Sequence, residues 1–237
     1  MKRQMISYIL LIVIISCKSQ NTKYKSLNLI VNYPLVISEK DNKTVLYHLN
    51  DTITITEFNN YRIYKLKPRR ELNTNKKIQF SSSYFCYNKD SVSGYFFFDN
   101  NSLNNPKLLN VDSLLSLEAF SKINVNLTSD YKIDQIIESN IETIEKYYFD
   151  NTNEEMMDSA YLYFKKNINL FYSFSSHLDT LRNKKLYKFR LLFNSKYSKK
   201  YQQNLPKREF NFEIQPFDII PIDSFIIKVS EKYCKSS

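Results

Sequence analysis

The sequence predicts an α+β fold: a mainly antiparallel sheet with a central helical segment, residues 110–166, packed on one face. Three observations lead there. Stretches on either side of that segment alternate apolar and polar residues with the period of two of a half-buried strand. Inside it, apolar residues recur at steps of three to five, the spacing of one helix face. The 237 residues are 43% hydrophobic and 15% aromatic, enough to build a core and too many for general disorder. Strands, then helices, then strands again is the order of an α+β domain, with one face of the sheet covered and the other partly wet.

The elements follow in chain order. Leu27, Leu29, Val31 and Tyr33 alternate with Asn28, Ile30 and Asn32, Val45, Tyr47 and Leu49 with Leu46 and His48, and Ile53 and Ile55 with Thr52, Thr54 and Thr56. The run ITEF-NN-YRIY around Asn59-Asn60 predicts a tight hairpin, because a type I′ turn needs positive φ twice and asparagine tolerates it. A polar loop over 67–77 leads to strands near 78–87 and 92–98. Asp112 is placed to cap a short helix carrying Leu114, Leu115, Leu117 and Phe120. Ile133, Ile136, Ile137, Ile141, Ile144 and Tyr148 then form one helical stripe, with Glu142 and Lys146 as an i, i+4 pair on the wet side. Thr152-Asn153-Glu154-Glu155 fits a capping box opening a further helix with Met156, Met157, Ala160, Tyr161 and Phe164, ending at Lys165-Lys166. Alternation resumes at Ile168, Leu170, Tyr172 and Phe174, at Tyr187, Phe189, Leu191 and Phe193, and most cleanly at Phe210, Phe212 and Ile214. Phe225, Ile227 and Val229 complete the predicted strands.

The amino terminus reads differently. Met1-Lys2-Arg3 precedes an apolar run from Met5 to Ile15, then Ile14-Ile15-Ser16-Cys17. The run is too short to span a bilayer, which takes roughly 20 residues, and its flanks suit an export signal. An aliphatic residue three before cysteine, with serine just before it, resembles the lipobox of a bacterial lipoprotein signal peptide. That resemblance implies removal of residues 1–16 and a thioether-linked lipid, with further acylation such as palmitate, on Cys17. Each buried methylene adds about 0.8 kcal/mol of membrane affinity, so several chains anchor firmly. Residues 17–25 then form a lipidated tether and 26–237 a single α+β domain. Lys18, where lipoproteins retained at the inner membrane carry aspartate, points to the outer membrane, facing the periplasm; the cell surface is the other site such proteins occupy.

Composition narrows the chemistry. Gly94 is the only glycine. Phosphate-binding loops, dinucleotide fingerprints and nucleophile elbows need glycines for positive φ and close backbone approach, so none can be built here. Lys and Arg number 34 against 24 Asp and Glu, a formal net charge of +10. The lysines are scattered, which is the pattern of a solvated surface rather than of a nucleic-acid face. Two basic stretches stand out, Lys65, Lys67, Arg69 and Arg70, and Lys196, Lys199, Lys200, Lys207 and Arg208, able to grip an anionic surface or acidic partner. The tyrosines and phenylalanines fall on alternating strand positions and read as core. With Cys17 lipidated, Cys86 and Cys234 remain; in an oxidising compartment they suggest one disulfide, with two separate buried thiols as the alternative.

Catalytic readings find little. His48 and His177 are the two histidines; neither has a carboxylate at ligand spacing, so no metal or cofactor is expected and both read as surface residues. Glu154, Glu155 and Asp158 could pair for acid–base work, but carboxylates in a first helical turn also complement the macrodipole. Asp51-Thr52-Ile53, Asp90-Ser91-Val92, Asp112-Ser113-Leu114, Asp158-Ser159-Ala160 and Asp179-Thr180-Leu181 share an Asp-Ser/Thr-aliphatic or small pattern. It resembles the acceptor sequon of a periplasmic O-glycosylation system, which would place sugar on Thr52, Ser91, Ser113, Ser159 and Thr180. The same pairs serve as turn and cap residues. The resulting expectation is a non-enzymatic binding or envelope-maintenance lipoprotein, attached to the membrane through its lipid and meeting a protein partner in the envelope, not nucleic acid. An envelope-acting hydrolase with a site assembled across loops, or a carrier of a hydrophobic ligand, are the alternatives.

Overall fold

The computed structural model describes residues 24–38, 44–66, 69–72, 78–117, 131–149, 157–199, 202–216 and 222–234. Strands dominate: β1 (Tyr24–Ser38), β2 (Thr44–Phe58), β3 (Tyr61–Lys65), β4 (Arg69–Leu72), β5 (Ile78–Ser81), β6 (Tyr84–Asn88), β7 (Ser93–Phe97), β8 (Lys107–Asn110), β9 (Tyr131–Glu138), β10 (Glu142–Phe149), β11 (Ser159–Lys165), β12 (Lys185–Phe193), β13 (Lys196–Ser198), β14 (Gln203–Leu205) and β15 (Arg208–Pro216). The α-helices among the described residues are α1 (Val111–Leu117), α2 (Ser176–Arg182) and α3 (Ser224–Tyr233). Eleven strands join one sheet in the order β8-β7-β6-β3-β2-β1-β15-β12-β11-β10-β9. The chain divides into two compact units, one of Ile55–Val111 with the two chain ends, the other of Leu27–Thr54 and Asp112–Asp218.

In the first unit, β6 is buried on both faces because its five residues, Tyr-Phe-Cys-Tyr-Asn, put a large side chain on each side in turn. Tyr84 and Cys86 meet Phe97, Phe225, Ile226, Val229 and Cys234 in a cluster under α3. Phe225 sits 4.6 Å from the Tyr84 ring and edge-on to Phe97 at 5.7 Å. On the other face Phe85 and Tyr87 stack at 5.5 Å. Gly94 of β7 makes that stack possible: a Cβ there would lie 2.7 Å from Cys86 O, Phe85 Cζ and Tyr87 Cβ. The single glycine therefore serves close packing of adjacent strands and not a turn. Positive φ at turns falls to asparagine at Asn59, Asn167 and Asn183, with φ of 51°, 60° and 49°, and to Gln202 with φ of 50°. The β2–β3 turn at Asn59-Asn60 forms with positive φ at Asn59 alone, so it is not the type I′ turn that the pair predicts. Asparagine does not always take that conformation: Asn101 and Asn105, between β7 and β8, have φ of −91° and −139°.

In the second unit the ladders β1–β15, β15–β12, β12–β11, β11–β10 and β10–β9 are all antiparallel. Their registers carry one row across the sheet, Val31, Phe212, Phe189, Leu162, Glu145. Phe189 stacks on Phe212 at 4.4 Å and receives Phe174 edge-on at 4.8 Å. Strand β9 is paired on one side among the described residues, and Ile133, Ile136 and Ile137 are each about half exposed. Its edge is blunted by Lys132, Asp134 and Glu138 and by a register shift opposite Lys146/Tyr147, devices that discourage edge-to-edge association.

The expected α+β fold with helix over 110–166 is therefore corrected: most of that segment, where described, is antiparallel sheet. Helix α1 forms over Leu114, Leu115 and Leu117, with Asp112 inside its first turn rather than at the cap; Phe120 lies outside the described residues. The isoleucine stripe does not make a helix. It divides into two strands joined at Ser139–Ile141, where Ser139 N donates to Glu142 O at 2.8 Å and Glu142 N donates to Ser139 Oγ at 2.9 Å. Steps of three and four arise from a hairpin as readily as from a helix when the turn is short. β-Branched and tyrosine side chains then decide for the strand. Glu142 and Lys146 are not a helical pair; Glu142 accepts from Tyr187 OH, and Lys146 pairs with Asp134. The segment expected to be the third helix contains β11, where Ala160, Leu162 and Phe164 are buried with a period of two; the capping box at 152–155 lies outside the described residues. Two predicted strands also fail. Residues 168–175 are irregular while burying Leu170, Tyr172 and Phe174. Residues 224–233 are helix α3, because Asp223 caps it through Phe225 N at 2.9 Å and Phe225, Ile226 and Val229 share one helical face.

Candidate functional site

The second unit holds a basin of about 380 Å³, lined by Lys165, Lys166, Asn167, Asp179, Thr180, Asn183, Lys184 and Lys185. Four lysines and one aspartate are among its lining residues. Lys165, at the end of β11, and Lys185, at the start of β12, are direct register partners. Like charges placed opposite each other on antiparallel strands destabilise the pair. Lys166 follows at the turn where Asn167 enters αL, and its backbone N–H is held by Ile141 O at 2.9 Å. Lys184 follows the αL cap of α2 at Asn183, whose N–H bonds Asp179 O and Thr180 O. Positive φ at these two asparagines thus turns the chain beside each of the two lysine pairs that converge. They gather at the carboxyl end of α2, where the helix dipole favours cations.

Two of the four are held by carboxylates. Asp179, 8% exposed, bonds Lys185 Nζ at 2.9 Å and accepts from Leu186 N at 2.8 Å. Lys184 Nζ lies 2.7 Å from Glu138 Oε1 and also reaches Thr143 Oγ1; the bond from Lys184 holds the Glu138 carboxyl below its ordinary range. Lys165 lies over the Tyr187 ring at 5.9 Å. On its β10 side Lys165 has Glu142 as its register partner. The hydroxyl of Thr180 is spent on Ser176 O at 3.0 Å. The lining thus offers cations and amides for an anion and no activated nucleophile.

Behind α2 lies a second cluster. Glu145, 2% exposed, interrupts the apolar row of the sheet. Arg182 of α2 grips it twice, Nε to Oε1 at 2.5 Å and Nη2 to Oε2 at 3.2 Å, and Tyr147 OH donates to Oε2 at 2.5 Å. Burial, then the Glu145 bond, pushes Tyr147 up to about 12. A bidentate arginine on a buried carboxylate fixes geometry. It locks the helix carrying the basin onto β10 and leaves Glu145 no role as a base.

The residues that the sequence singles out fall elsewhere. Cys17 lies outside the described residues, as do Glu154, Glu155, Lys67 and Lys200. Cys86 and Cys234 are buried thiols with Sγ atoms 3.1 Å apart. His48 and His177 are exposed. Thr52, Ser91, Ser113 and Thr180 are exposed and Ser159 half-buried. The aspartates before them are structural: Asp51 accepts from Tyr33 OH at 3.1 Å, Asp90 from Asn60 Nδ2 at 2.6 Å and Asp158 from Asn194 N at 2.6 Å. The two basic stretches do not make the basin. Lys65 is bound to Asp223 at 2.6 Å, Arg208 lies 4.9 Å from the Phe193 ring, and Lys196 lies 3.9 Å from Asp158. Among the described residues no group of three or more His, Cys, Asp or Glu could hold a metal, and no helix is long and apolar enough to cross a membrane.

No protein-family model and no curated protein matches the chain. Among solved structures it is similar to the ywiB protein from Bacillus subtilis, with 10% identity over 81% of this chain and 92% of that one, at a TM-score of 0.17, too low to bear on fold or function.

Proposed function

We propose that this chain is a lipid-anchored protein of the bacterial envelope that works by binding a phosphorylated or otherwise strongly anionic group in the lysine basin, rather than by catalysis. One observation carries the binding reading: Lys165, Lys166, Lys184 and Lys185 line one basin in which Asp179 is the acidic lining residue. Such a gathering of cations leaves an excess of positive charge that attracts anions. An anion of sugar-phosphate size would fit the basin and balance that charge. The lipobox-like run ending at Cys17 supports anchorage at the outer membrane, facing the periplasm, where anionic lipid headgroups and glycans are the nearest ligands of this chemistry.

Calorimetric titration of the purified protein with inorganic pyrophosphate at low ionic strength tests the basin. Lys165→Ala/Lys166→Ala should weaken binding at least tenfold, and added salt should weaken it in the wild type. Lys196→Ala/Lys199→Ala on the other basic stretch should leave it unchanged. Equal affinities for all three proteins would refute the reading. The anchor has its own test: cells fed radioactive palmitate should label the wild type, and label retained by Cys17→Ala would refute lipidation there.

A further inference from the structure

We propose that Cys86 and Cys234 are joined by a disulfide in the exported protein, clasping the carboxyl-terminal helix to the sheet; this rests on the envelope location argued above, since a reducing compartment would keep both as thiols. Cys86 is at the centre of β6 and 0% exposed; Cys234 is the carboxyl-cap residue of α3 and 1% exposed. Their Sγ atoms lie 3.1 Å apart across 148 positions of sequence. A bond of about 2.05 Å needs only a further ~1 Å of approach, well within side-chain adjustment.

The location gives such a bond a purpose. Helix α3 has ten residues, too short to be stable alone in water. Polar ties hold its amino end: Asp223 to Lys65 at 2.6 Å and to Tyr84 OH at 2.9 Å. Farther along, Tyr24 OH meets Ser230 Oγ at 2.7 Å and Tyr233 OH donates to Leu103 O at 2.7 Å. Cys234 closes the last turn over the sheet, so a covalent link there prevents the helix from peeling off and exposing Phe97, Phe225 and Val229.

The step balances with a protein disulfide as oxidant. Cys234 is the thiol uncovered when the helix end frays. It loses its proton, attacks the oxidant's disulfide and forms a mixed disulfide, releasing one thiolate. The Cys86 thiolate then attacks Cys234 Sγ and expels the oxidant's second thiolate. The protein gives up two electrons and two protons, and the oxidant leaves as a dithiol. Bonding to Cys234 and burial raise the Cys86 thiol well above its ordinary pKa in the closed thiol form, so the exchange belongs to the open helix or to folding.

The test takes the full chain from cell membranes, acid-quenched, unfolded and treated with N-ethylmaleimide without reductant, with palmitate label followed on the same sample. A peptide pair joined through Cys86 and Cys234, with neither residue alkylated, is the expected result. Lipidated protein alkylated at both overturns the clasp and leaves the anchor standing. Unlipidated protein carrying the bond does the reverse, and unlipidated protein alkylated at both overturns the two together. On the purified protein, a reductant should lower the melting temperature by roughly 10 °C or more and should have no effect on Cys86→Ala/Cys234→Ala; an unchanged wild-type melting temperature would also count against the clasp.

Discussion

Replacing Gly94 by alanine sets two physical effects of opposite sign against each other. Gly94 does not have positive φ, so an L-residue suits the backbone. By restricting the unfolded chain alone, alanine would stabilise the protein by about 0.4–1 kcal/mol. The folded state opposes this, because the new methyl would lie 2.7 Å from three atoms. Phe85 Cζ is the tip of a ring, but that ring is 0% exposed and stacked on Tyr87. Cys86 O and Tyr87 Cβ are fixed to the neighbouring strand. Relief requires β6 and β7 to part, at the expense of the ladder that pairs Phe85 with Phe96 and Cys86 with Tyr95. Overpacking of this kind costs about 1–3 kcal/mol, and two backbone-fixed obstacles put this site in the upper part of that range. The net expectation is a loss of about 1–2 kcal/mol. Urea unfolding followed by circular dichroism should show a lower midpoint at unchanged slope, with a melting temperature lower by about 2–8 °C. A midpoint at or above the wild type would refute the close-packing account of the single glycine.

Arg182→Ala should destabilise by about 3–5 kcal/mol, because Glu145 would be left buried without its cation; Glu145→Gln in that background should recover part of the loss, and a double-mutant cycle by urea unfolding measures it. Asp223 is held below its ordinary carboxyl range, since the bonds from Lys65, Phe225 N and Tyr84 outweigh the burial that opposes ionisation. A carboxylate with a lowered folded pKa stabilises above its unfolded value, near 3.9, and that contribution is lost as pH falls through the folded value. Asp223→Asn keeps a good cap and should cost about 1 kcal/mol at neutral pH, with the wild type's advantage disappearing below about pH 4 in melts across pH. Phe189→Ala should cost about 3–5 kcal/mol, because the ring is packed between Phe212 and Phe174; a loss under 1 kcal/mol in urea would contradict that packing.

Strand alternation was legible wherever one face is buried and the other wet. Leu27, Leu29 and Val31, at 1% or less exposure, are read from the sequence as they stand, and so are Phe212 and Ile214. Period alone fails where two arrangements share a spacing. Ile133 to Tyr148 satisfies a helical stripe, yet the stripe contains Ser139-Asn140, a pair suited to turning a chain, and isoleucine and tyrosine favour the pleated surface. Phe225, Ile227 and Val229 alternate, yet the residues buried are Phe225, Ile226 and Val229, and the deciding signal is the capping Asp223 just before them. In both cases a short polar punctuation mark, rather than the apolar pattern, distinguishes the outcomes.

The basin was illegible for a different reason. Its lysines come in two adjacent pairs, Lys165-Lys166 and Lys184-Lys185, separated by 17 intervening residues, and each pair reads locally as an ordinary polar end to an element. The first pair even suits the end of the helix that the sequence predicts there. Only the β11–β12 register places Lys165 against Lys185, and register follows from core residues far from the charges, Leu162 facing Phe189 and Phe164 facing Leu186. Burial of those apolar side chains is worth about 1.5–3 kcal/mol each, whereas a cross-strand like-charge contact costs roughly 0.2–1 kcal/mol. The core therefore dictates the pairing and the lysines are carried into opposition. On its other side Lys165 faces Glu142 of β10, so a glutamate at position 165 would only exchange one like-charge pair for another. The register therefore sets Lys165 between an acidic and a basic neighbour, and neither is visible in the local sequence.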